Sequence, residues 1–323
     1  MIITLTPNPS LDRTLVVSRL IRGQVHRAVA EHEEPSGKGV NVCRALTRNG
    51  IDSVAVLPLG GAEGVTLARL LEEERVRYCP VSIAQPVRVN VSLTEPDGFA
   101  TKVNAPGPEL SQAEIAGLTD ALAELVSDGD WVVASGSLPR GMDSGYYATV
   151  AEVVHGAGAR LALDSSGSAL LAGLAGRPDV VKPNLEELEE AVGQRLTTMG
   201  DVLSAASNLR RRGAGAVLVS LGRDGAVLVT ADGVWRGYAD VEAPRSTIGA
   251  GDALLAGFVA GGGTGPSALV EAMAWGSAAV GEEGSRVPVI TAHHRHAVVL
   301  AGRPADDSPL SDSAPGSAPD GPA

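Results

Sequence analysis

The sequence predicts an α/β protein with a mostly parallel central sheet and a small second sheet. Short continuous apolar runs, which are typical of strands buried on both faces, alternate along the chain with helix-like stretches. Two other stretches carry apolar residues at every second position, which is typical of strands with one exposed face. Strands that alternate with helices favour right-handed β–α–β units, so we expect a parallel sheet covered by helices.

The apolar runs give the predicted core strands, which are residues 2–5, 53–59, 130–136, 160–165, 179–184 and 216–222. The predicted helices are residues 38–49, 63–75, 111–126, 184–193, 200–212, 251–260 and 266–281. The alternating stretches, about residues 11–37 and 86–104, form the predicted small sheet.

The last 21 residues, 303–323, differ in composition from the rest of the chain. Nineteen of them are Pro, Ala, Ser, Asp or Gly, and Leu310 is the one large apolar residue. Such a segment buries too little apolar surface to offset the entropy lost on ordering. We therefore predict one domain over residues 1–302, followed by a disordered tail.

Composition excludes several classes of function. The 323 residues include 26 basic and 38 acidic side chains, for a net charge of −12, which argues against general affinity for nucleic acid or anionic membranes. Nine aromatic residues are too few for a base-stacking surface. Cys43 and Cys79 form no CxxC pair, and no segment has the pattern of a signal peptide or a membrane helix. We expect a reduced, cytoplasmic protein.

The segment Gly249-Ala250-Gly251-Asp252 leads directly into an apolar helix-like stretch. A glycine turn at a helix start leaves backbone N–H groups unpaired, and the helix dipole adds positive potential, so the turn can hold phosphate oxygens. Taken alone, the segment is equally consistent with an ordinary turn and an N-capping Asp252. Other segments of the chain decide between these two interpretations.

The segment resembles the GAGD signature of the ribokinase-like sugar kinases, the PfkB family. Four further segments resemble motifs of that family and occur in the same order. They are Gly37-Lys38-Gly39-Val40-Asn41, Ser135-Gly136-Ser137-Leu138-Pro139-Arg140-Gly141, Lys182-Pro183-Asn184-Leu185-Glu186-Glu187 and Ser220-Leu221-Gly222-Arg223-Asp224-Gly225. One departure is Ser36, which stands where the family has a first glycine. The resemblance implies a three-layer α/β/α domain whose small β-sheet acts as a lid.

The resemblance also implies roles for individual residues. For catalysis it implies Asp252 as the base and Gly249, Ala250 and Gly251 as the anion hole. For the sugar substrate it implies Asp12, Gly37, Lys38, Asn41, Arg88, Asn90 and Ser137, with Lys38 and Arg88 on a phosphate that the sugar already carries. For ATP it implies Lys182, Asn184, Ser220, Gly222, Gly225 and Ser277. For Mg²⁺, held through water, it implies Asn184 and Glu187.

Several of these residues also have ordinary structural interpretations. Arg88 on an alternating strand is more often a solvated edge charge. Asn184 and Glu187 have the spacing of a helix capping box, which does not exclude a second role at a metal. A surface position is favoured over a metal site for His293, His294 and His296, because no acid or Cys completes a ligand set with them.

The N-terminal pattern resembles the hexose-phosphate kinases of the family, with the 1-phosphofructokinase branch as the best fit. It implies ATP-dependent phosphorylation of fructose 1-phosphate at the C6 hydroxyl, and a homodimer formed through the lids. Tagatose-6-phosphate or fructose-6-phosphate kinase activity is the alternative, and a non-catalytic sugar-phosphate-binding regulator is less favoured. The sequence contains no GxxxxGK[ST] motif and no GxSxG with a credible acid and base, which disfavours P-loop kinases and α/β-hydrolases.

Overall fold

The computed structural model describes residues 1–96, 99–241, 244–282 and 284–311. Over these residues the chain forms a large central sheet, a small second sheet and helices on both faces of the large sheet, which confirms the predicted fold class. Among the described residues, no helix combines the length and apolarity needed to cross a bilayer.

The strands in chain order are β1 (Ile2–Leu5), β2 (Ser10–Val16), β3 (Ala30–Ser36), β4 (Ser53–Leu59), β5 (Tyr78–Ser82), β6 (Arg88–Thr94), β7 (Ala100–Val103), β8 (Trp131–Ser135), β9 (Arg160–Asp164), β10 (Val180–Val181), β11 (Ala216–Ser220), β12 (Ala226–Val229), β13 (Val234–Tyr238) and β14 (Val299–Ala301). The α-helices are α1 (Lys38–Arg48), α2 (Gly61–Glu73), α3 (Gln112–Leu125), α4 (Tyr146–Gly156), α5 (Gly167–Gly173), α6 (Leu185–Val192), α7 (Met199–Arg211), α8 (Ala250–Ala260), α9 (Gly265–Val280) and α10 (Ala292–His296).

The large sheet has the strand order β14-β13-β12-β11-β10-β9-β8-β1-β4-β5. Its strands run parallel from β5 to β11, and β12, β13 and β14 add an antiparallel extension. Helices α3 to α7 cover one face and bury a core around Leu118, Tyr147 and Leu209. Helices α1, α8 and α9 cover the other face around Leu46 and Phe258. Parallel strands buried on both faces explain the continuous apolar runs of the sequence.

The small sheet has the order β3-β2-β6-β7, with β2 parallel to β6 and the outer pairs antiparallel. One face carries Asp12, Arg88, Asn90 and Lys102, because side chains alternate between faces along a strand. The opposite face carries Leu11, Val89, Val91 and Val103. The alternation seen in the sequence therefore separates a polar face from a largely apolar face, which also carries the ion pair of Arg13 and Glu33.

Residues 303–311 are ordered against α7, so the predicted disorder is wrong for this part of the tail. The Met199 N–H donates to the Ser308 carbonyl at 2.9 Å, and the Leu310 N–H donates to the Thr197 carbonyl at 3.0 Å. Leu310 packs against the main core, and the Ser311 hydroxyl donates to Asp224 at 2.9 Å. One apolar anchor and these backbone hydrogen bonds suffice where composition alone indicates disorder. The predicted tail residues 312–323 lie outside the described residues, as do residues 97–98 of the predicted small sheet.

Candidate active site

A cleft with a volume of about 880 Å³ lies at the carboxyl edge of the parallel sheet. Strands β9 and β11 end at this edge in Asp164 and Ser220, and Lys182 directly follows β10, in agreement with the rule that open α/β sheets bind ligands beyond the carboxyl ends of their strands. All six residues that the resemblance assigns to ATP line this cleft, namely Lys182, Asn184, Ser220, Gly222, Gly225 and Ser277. Lys38, Glu187, Ala250, Gly251 and Asp252 also line it.

Asp252 lies in the first turn of α8 at the inner end of the cleft and is only 8% exposed. Its Oδ2 atom accepts a hydrogen bond from Asn41 Nδ2 at 2.8 Å, which joins α8 to α1. Burial, reinforced by the charge of Asp164, raises the pKa of Asp252 to about 6, although Lys38, Lys182 and Asn41 act in the opposite direction. A carboxylate with such a pKa is ionised at neutral pH and is a stronger proton acceptor than an ordinary aspartate.

The turn before Asp252 has the backbone geometry of an anion site. Gly249 has φ 73°, a left-handed value that favours glycine, and among the described residues no side chain caps α8. The Ala250 N–H donates to the Thr247 carbonyl at a long 3.3 Å. A methyl group added at Gly251 would lie 3.4 Å from the Lys182 amine, so this cation reaches over the turn. Uncapped N–H groups and a nearby ammonium together favour bound phosphate oxygens.

Behind the turn, two lysines share one fully buried carboxylate. Asp164 Oδ1 lies 2.7 Å from Lys38 Nζ, and Asp164 Oδ2 lies 3.1 Å from Lys182 Nζ. Burial would raise the pKa of Asp164, but the two ammonium groups outweigh it and lower that pKa. Asp164 was not predicted from the sequence; the signal available was its place in Leu163-Asp164-Ser165-Ser166, directly after a buried strand.

Lys38 is the N-terminal residue of α1, where the helix dipole disfavours a cation. Glu187 Oε1 at 2.8 Å and Asp164 compensate for this position. Burial would lower the pKa of Lys38, but these carboxylates raise it well above its ordinary value, so the amine stays charged. Lys38 therefore lies in the cleft with the residues assigned to ATP, and its assignment to the sugar phosphate stays a prediction.

Asn184 and Glu187 form the predicted capping box of α6. The Glu187 N–H donates to Asn184 Oδ1 at 2.7 Å, and the Asn184 N–H donates to Glu187 Oε2 at 2.9 Å. With Glu187 Oε1 bound to Lys38, each of these side-chain oxygens already accepts a hydrogen bond. No cluster of three His, Cys, Asp or Glu side chains suited to a metal occurs in the described parts of the chain. The residues therefore fit Mg²⁺ held mainly by nucleotide phosphates and water, with Asn184 and Glu187 in contact through water.

On the polar face of the small sheet, Asp12 is held by its neighbours in one orientation. Asp12 Oδ1 accepts hydrogen bonds from Ser10 Oγ at 2.7 Å and from Asn90 Nδ2 at 2.9 Å. Asn90 Oδ1 accepts from the Ala105 N–H at 3.1 Å, which fixes the Asn90 amide in turn. A carboxylate oriented in this way suits the hydroxyl groups of a sugar.

Arg88 and Ser137, which the sequence places far apart, are connected through Asn8. Arg88 donates to the carbonyls of Ala105 at 2.9 Å and Asn8 at 3.0 Å, and Asn8 Nδ2 donates to Ser137 Oγ at 3.2 Å. Arg88 is half-buried, so the alternative of a solvated edge charge is wrong. Its Nε atom is buried without a hydrogen-bond partner among the described residues.

Lys102 is a second cation on the same face and was not predicted from the sequence. Burial lowers the pKa of both Arg88 and Lys102, and Asp12 partly offsets the effect for both. Arg88 and Lys102 place two cations beside Asp12 on this face, and Glu34 of β3, directly opposite Asp12, is a second carboxylate there. The two cations are the groups on this face that favour an anionic group on the substrate.

The remaining predicted residues have clear positions. Gly39 lies against β1, where an added methyl group would lie 2.4 Å from Thr6 Oγ1. Ser36 has no left-handed backbone, so the serine in place of the family's glycine leaves the turn unstrained. His293 and His296 are exposed on α10, and His294 caps that helix by accepting from the Thr291 N–H at 3.1 Å.

The comparison with known proteins agrees with this geometry. Residues 8–292 match the pfkB family of carbohydrate kinases, and the chain belongs to that family and is a phosphotransferase. Among its relatives, the 1-phosphofructokinase of Rhodobacter capsulatus is 38% identical over 261 residues, which cover 80% of this chain and 82% of that protein. The ATP-dependent 6-phosphofructokinase isozyme 2 of Mycobacterium tuberculosis is 36% identical over 280 residues, which cover 86% and 82%.

The fold is also similar to a solved structure, that of phosphofructokinase-2 from Escherichia coli in complex with potassium. The TM-score is 0.85 at 32% identity, and the match covers 91% of this chain and 96% of that chain. Another solved structure of the same protein is a tetrameric, inhibited form.

Proposed function

We propose that this protein transfers the γ-phosphoryl group of ATP to the C6 hydroxyl of fructose 1-phosphate, giving fructose 1,6-bisphosphate and ADP. The observation that carries the proposal is the position of Asp252. This buried base lies at the end of the cleft lined by the ATP motifs, and Asn41 connects it to the helix that follows the small sheet. A non-catalytic regulator would have no use for such a base.

The reaction follows from the residues of the site. Asp252 accepts the proton of the C6 hydroxyl while the C6 oxygen forms a bond to the γ-phosphorus. At the same time the bond between that phosphorus and the bridging oxygen of ADP breaks. The N–H groups of Gly249, Ala250 and Gly251, together with Lys182, stabilise the charge on the transferring group. Mg²⁺, when bound, neutralises charge on the nucleotide phosphates, and Asn184 and Glu187 would hold its water shell.

The polar face of the small sheet supports a substrate that already carries a phosphate. Asp12 and Asn90 would bind sugar hydroxyls, while Arg88 and Lys102 supply positive charge for the phosphate. Closure of this sheet over the sugar would exclude water from the transfer, which is the role of a lid.

Fructose 6-phosphate is the second candidate substrate, and the 36% identity to the Mycobacterium tuberculosis enzyme over 280 residues favours it. In the furanose ring, C1 and C6 are both exocyclic CH₂ groups on either side of the ring oxygen. A site that binds one phosphate and one hydroxyl can therefore accept either sugar in opposite orientations. ADP release measured with fructose 1-phosphate, fructose 6-phosphate and tagatose 6-phosphate decides between them: the highest kcat/KM should be with fructose 1-phosphate, and a higher value with another sugar would contradict the proposal.

The cytoplasmic location and the homodimer expected from the sequence belong to the same proposal. The use of ATP supports the location. For the dimer, the support is the largely apolar face of the small sheet, where Val103 is 62% exposed. Further exposed apolar residues precede two of its strands, Val25 and Val29 before β3 and Phe99 before β7. Light scattering on the Val103→Asp variant tests it, because a charge in a dimer interface should give monomers and no change would contradict this interface.

A further inference from the structure

Arg44 is a buried cation of α1 that joins four separate parts of the chain. It is 7% exposed, and it donates to both carboxylate oxygens of Glu74 at 2.7 Å. Its Nη1 atom also donates to the Pro35 carbonyl at 3.1 Å and to Ser285 Oγ at 2.8 Å, and it lies 3.5 Å from Asn41 Oδ1. The ion pair with Glu74 alone would satisfy the charge, so the Nη1 contacts call for a separate explanation.

The contact with Asn41 determines which way its amide group points. A guanidinium can only donate hydrogen bonds, so it faces the amide oxygen of Asn41 and leaves the NH₂ group for the opposite side. That NH₂ group donates to Asp252 Oδ2. The second oxygen of Asp252, Oδ1, has no protein donor within the described residues and remains available for a substrate hydroxyl.

The contact of Arg44 with Ser285 concerns the glycine turn that precedes Asp252. Ser285 packs behind Gly249, where an added methyl group would lie 3.1 Å from both Cα and Cβ of the serine. Arg44 holds the Ser285 hydroxyl, which in turn lies 3.4 Å from Glu34 on β3. The guanidinium thus contacts both a residue that binds the base and a residue that supports the anion-hole turn.

We propose that Arg44 is a positioning residue for phosphoryl transfer, which orients Asp252 through Asn41 and the turn at Gly249 through Ser285. The inference rests on the proposed function of the site. It assigns to Arg44 no contact with either substrate. Its loss should therefore lower kcat and leave the KM values for both substrates nearly unchanged.

The test is the Arg44→Met variant, which keeps the apolar stem and removes the donors. Because small displacements of reacting groups have large effects on rate, we expect kcat to fall by roughly 10- to 100-fold. Both KM values should change by less than about threefold, since an interaction that matters only in the transition state affects kcat. Arg44→Lys, which keeps a charged donor, should recover part of the loss and serves as the test if Arg44→Met does not fold.

The Glu74→Gln variant is the matched control. It weakens the ion pair of Arg44 and leaves its Nη1 contacts in place, so it should lower the melting temperature and keep kcat within about twofold of wild type. A fall in kcat equal to that of Arg44→Met would show that Arg44 acts through the fold and would overturn the proposal.

Double-mutant cycles of Arg44→Met with Asn41→Ala and with Ser285→Ala provide the second readout. If Arg44 acts through these residues, the combined losses in kcat should be smaller than the product of the single losses. The proposal is overturned if both cycles give simple products, or if Arg44→Met keeps more than half of the wild-type kcat. Wild type is assayed first with each hexose phosphate, so an error in the proposed substrate is recognised separately and the cycles are then run with the sugar that reacts.

Discussion

Arg88 donates a guanidinium hydrogen bond to the main-chain carbonyl of Asn8 at 3.0 Å, which ties a strand of the small sheet to the loop that follows β1. The same side chain donates to Ala105 at 2.9 Å. A residue assigned to the substrate phosphate is therefore also part of the wall of its own site. The two roles make different predictions for substrates with and without a phosphate.

Replacement of Arg88 by alanine should reduce kcat/KM for fructose 1-phosphate by roughly 10- to 150-fold, because a hydrogen bond to a charged group contributes about 1.5–3 kcal/mol. Fructose, which has no phosphate, should lose much less, and the KM for ATP should hardly change. Arg13→Ala is the control, since Arg13 lies on the opposite face of the small sheet and pairs with Glu33 at 2.6 Å. Equal losses with both sugars would show that Arg88 only shapes the wall.

Replacement of Asp252 by asparagine should lower kcat by at least about two orders of magnitude, since a general base contributes roughly 10²–10⁴-fold. Asparagine keeps the size of the side chain and an oxygen that can accept from Asn41, so ATP should still bind. The measurements are steady-state kinetics and nucleotide titration. Retention of more than a tenth of the wild-type kcat would rule out Asp252 as the base.

The activity should fall as the pH decreases through about 6, because the raised pKa of Asp252 lies there and the protonated carboxyl cannot accept a proton. A pH profile of kcat at saturating substrate concentrations measures this. An ordinary aspartate, with a pKa of about 3.9, would leave kcat unchanged down to about pH 5. If kcat does not fall between neutral pH and about pH 5, the assigned environment of Asp252 is contradicted.

The same raised pKa predicts that Asp252→Asn stabilises the fold at neutral pH. The folded protein binds the carboxyl proton of Asp252 more tightly than the unfolded chain does. Ionisation of Asp252 therefore lowers the free energy of unfolding as the pH rises from about 4 to about 6. Above pH 6 the whole loss in free energy of unfolding is present, and it corresponds to roughly 3 kcal/mol. Thermal unfolding should show a higher melting temperature for the variant at pH 7 and no difference near pH 4. A variant less stable than wild type at pH 7 would contradict it.

Truncation after Gly302 should lower the melting temperature, because it removes the backbone hydrogen bonds at Met199 and Thr197 and the apolar contact of Leu310. Truncation after Ser311 is the control and should leave the melting temperature unchanged, since residues 312–323 contain no large apolar side chain. If both truncated proteins melt like wild type, the docked segment contributes nothing to stability.

Much of the central fold was predictable from local patterns. Strand β4 occupies residues 53–59, as the sequence predicts, because its apolar run is buried on both faces. Helix α4 was not predicted: its sequence Tyr146–Gly156 is rich in β-branched and aromatic residues, and packing against the sheet stabilises the helix there. The antiparallel extension β12 to β14 was also not predicted: β12 and β13 are short hairpin strands next to β11, and β14 joins them only through a distant pairing, as in the register of Tyr238 with Val299.

The site was predictable where a motif lies on one continuous segment. The turn before Asp252 and the capping box of Asn184 were found in this way. Asn8, Arg44 and Asp164 were not, because their roles depend on partners more than a hundred residues away, such as Ser137 for Asn8 and Ser285 for Arg44. No local pattern of charge or hydropathy records a hydrogen bond across such a distance.

The position of β1 has a consequence for the order of events during synthesis. Strand β1 lies between β4 and β8, so one of its edges can pair as soon as β4 has been synthesised. Its other edge has to wait for Trp131–Ser135. A nascent chain therefore carries an apolar strand with one unpaired edge over the translation of some seventy residues, which makes this interval the one most exposed to misassociation between chains.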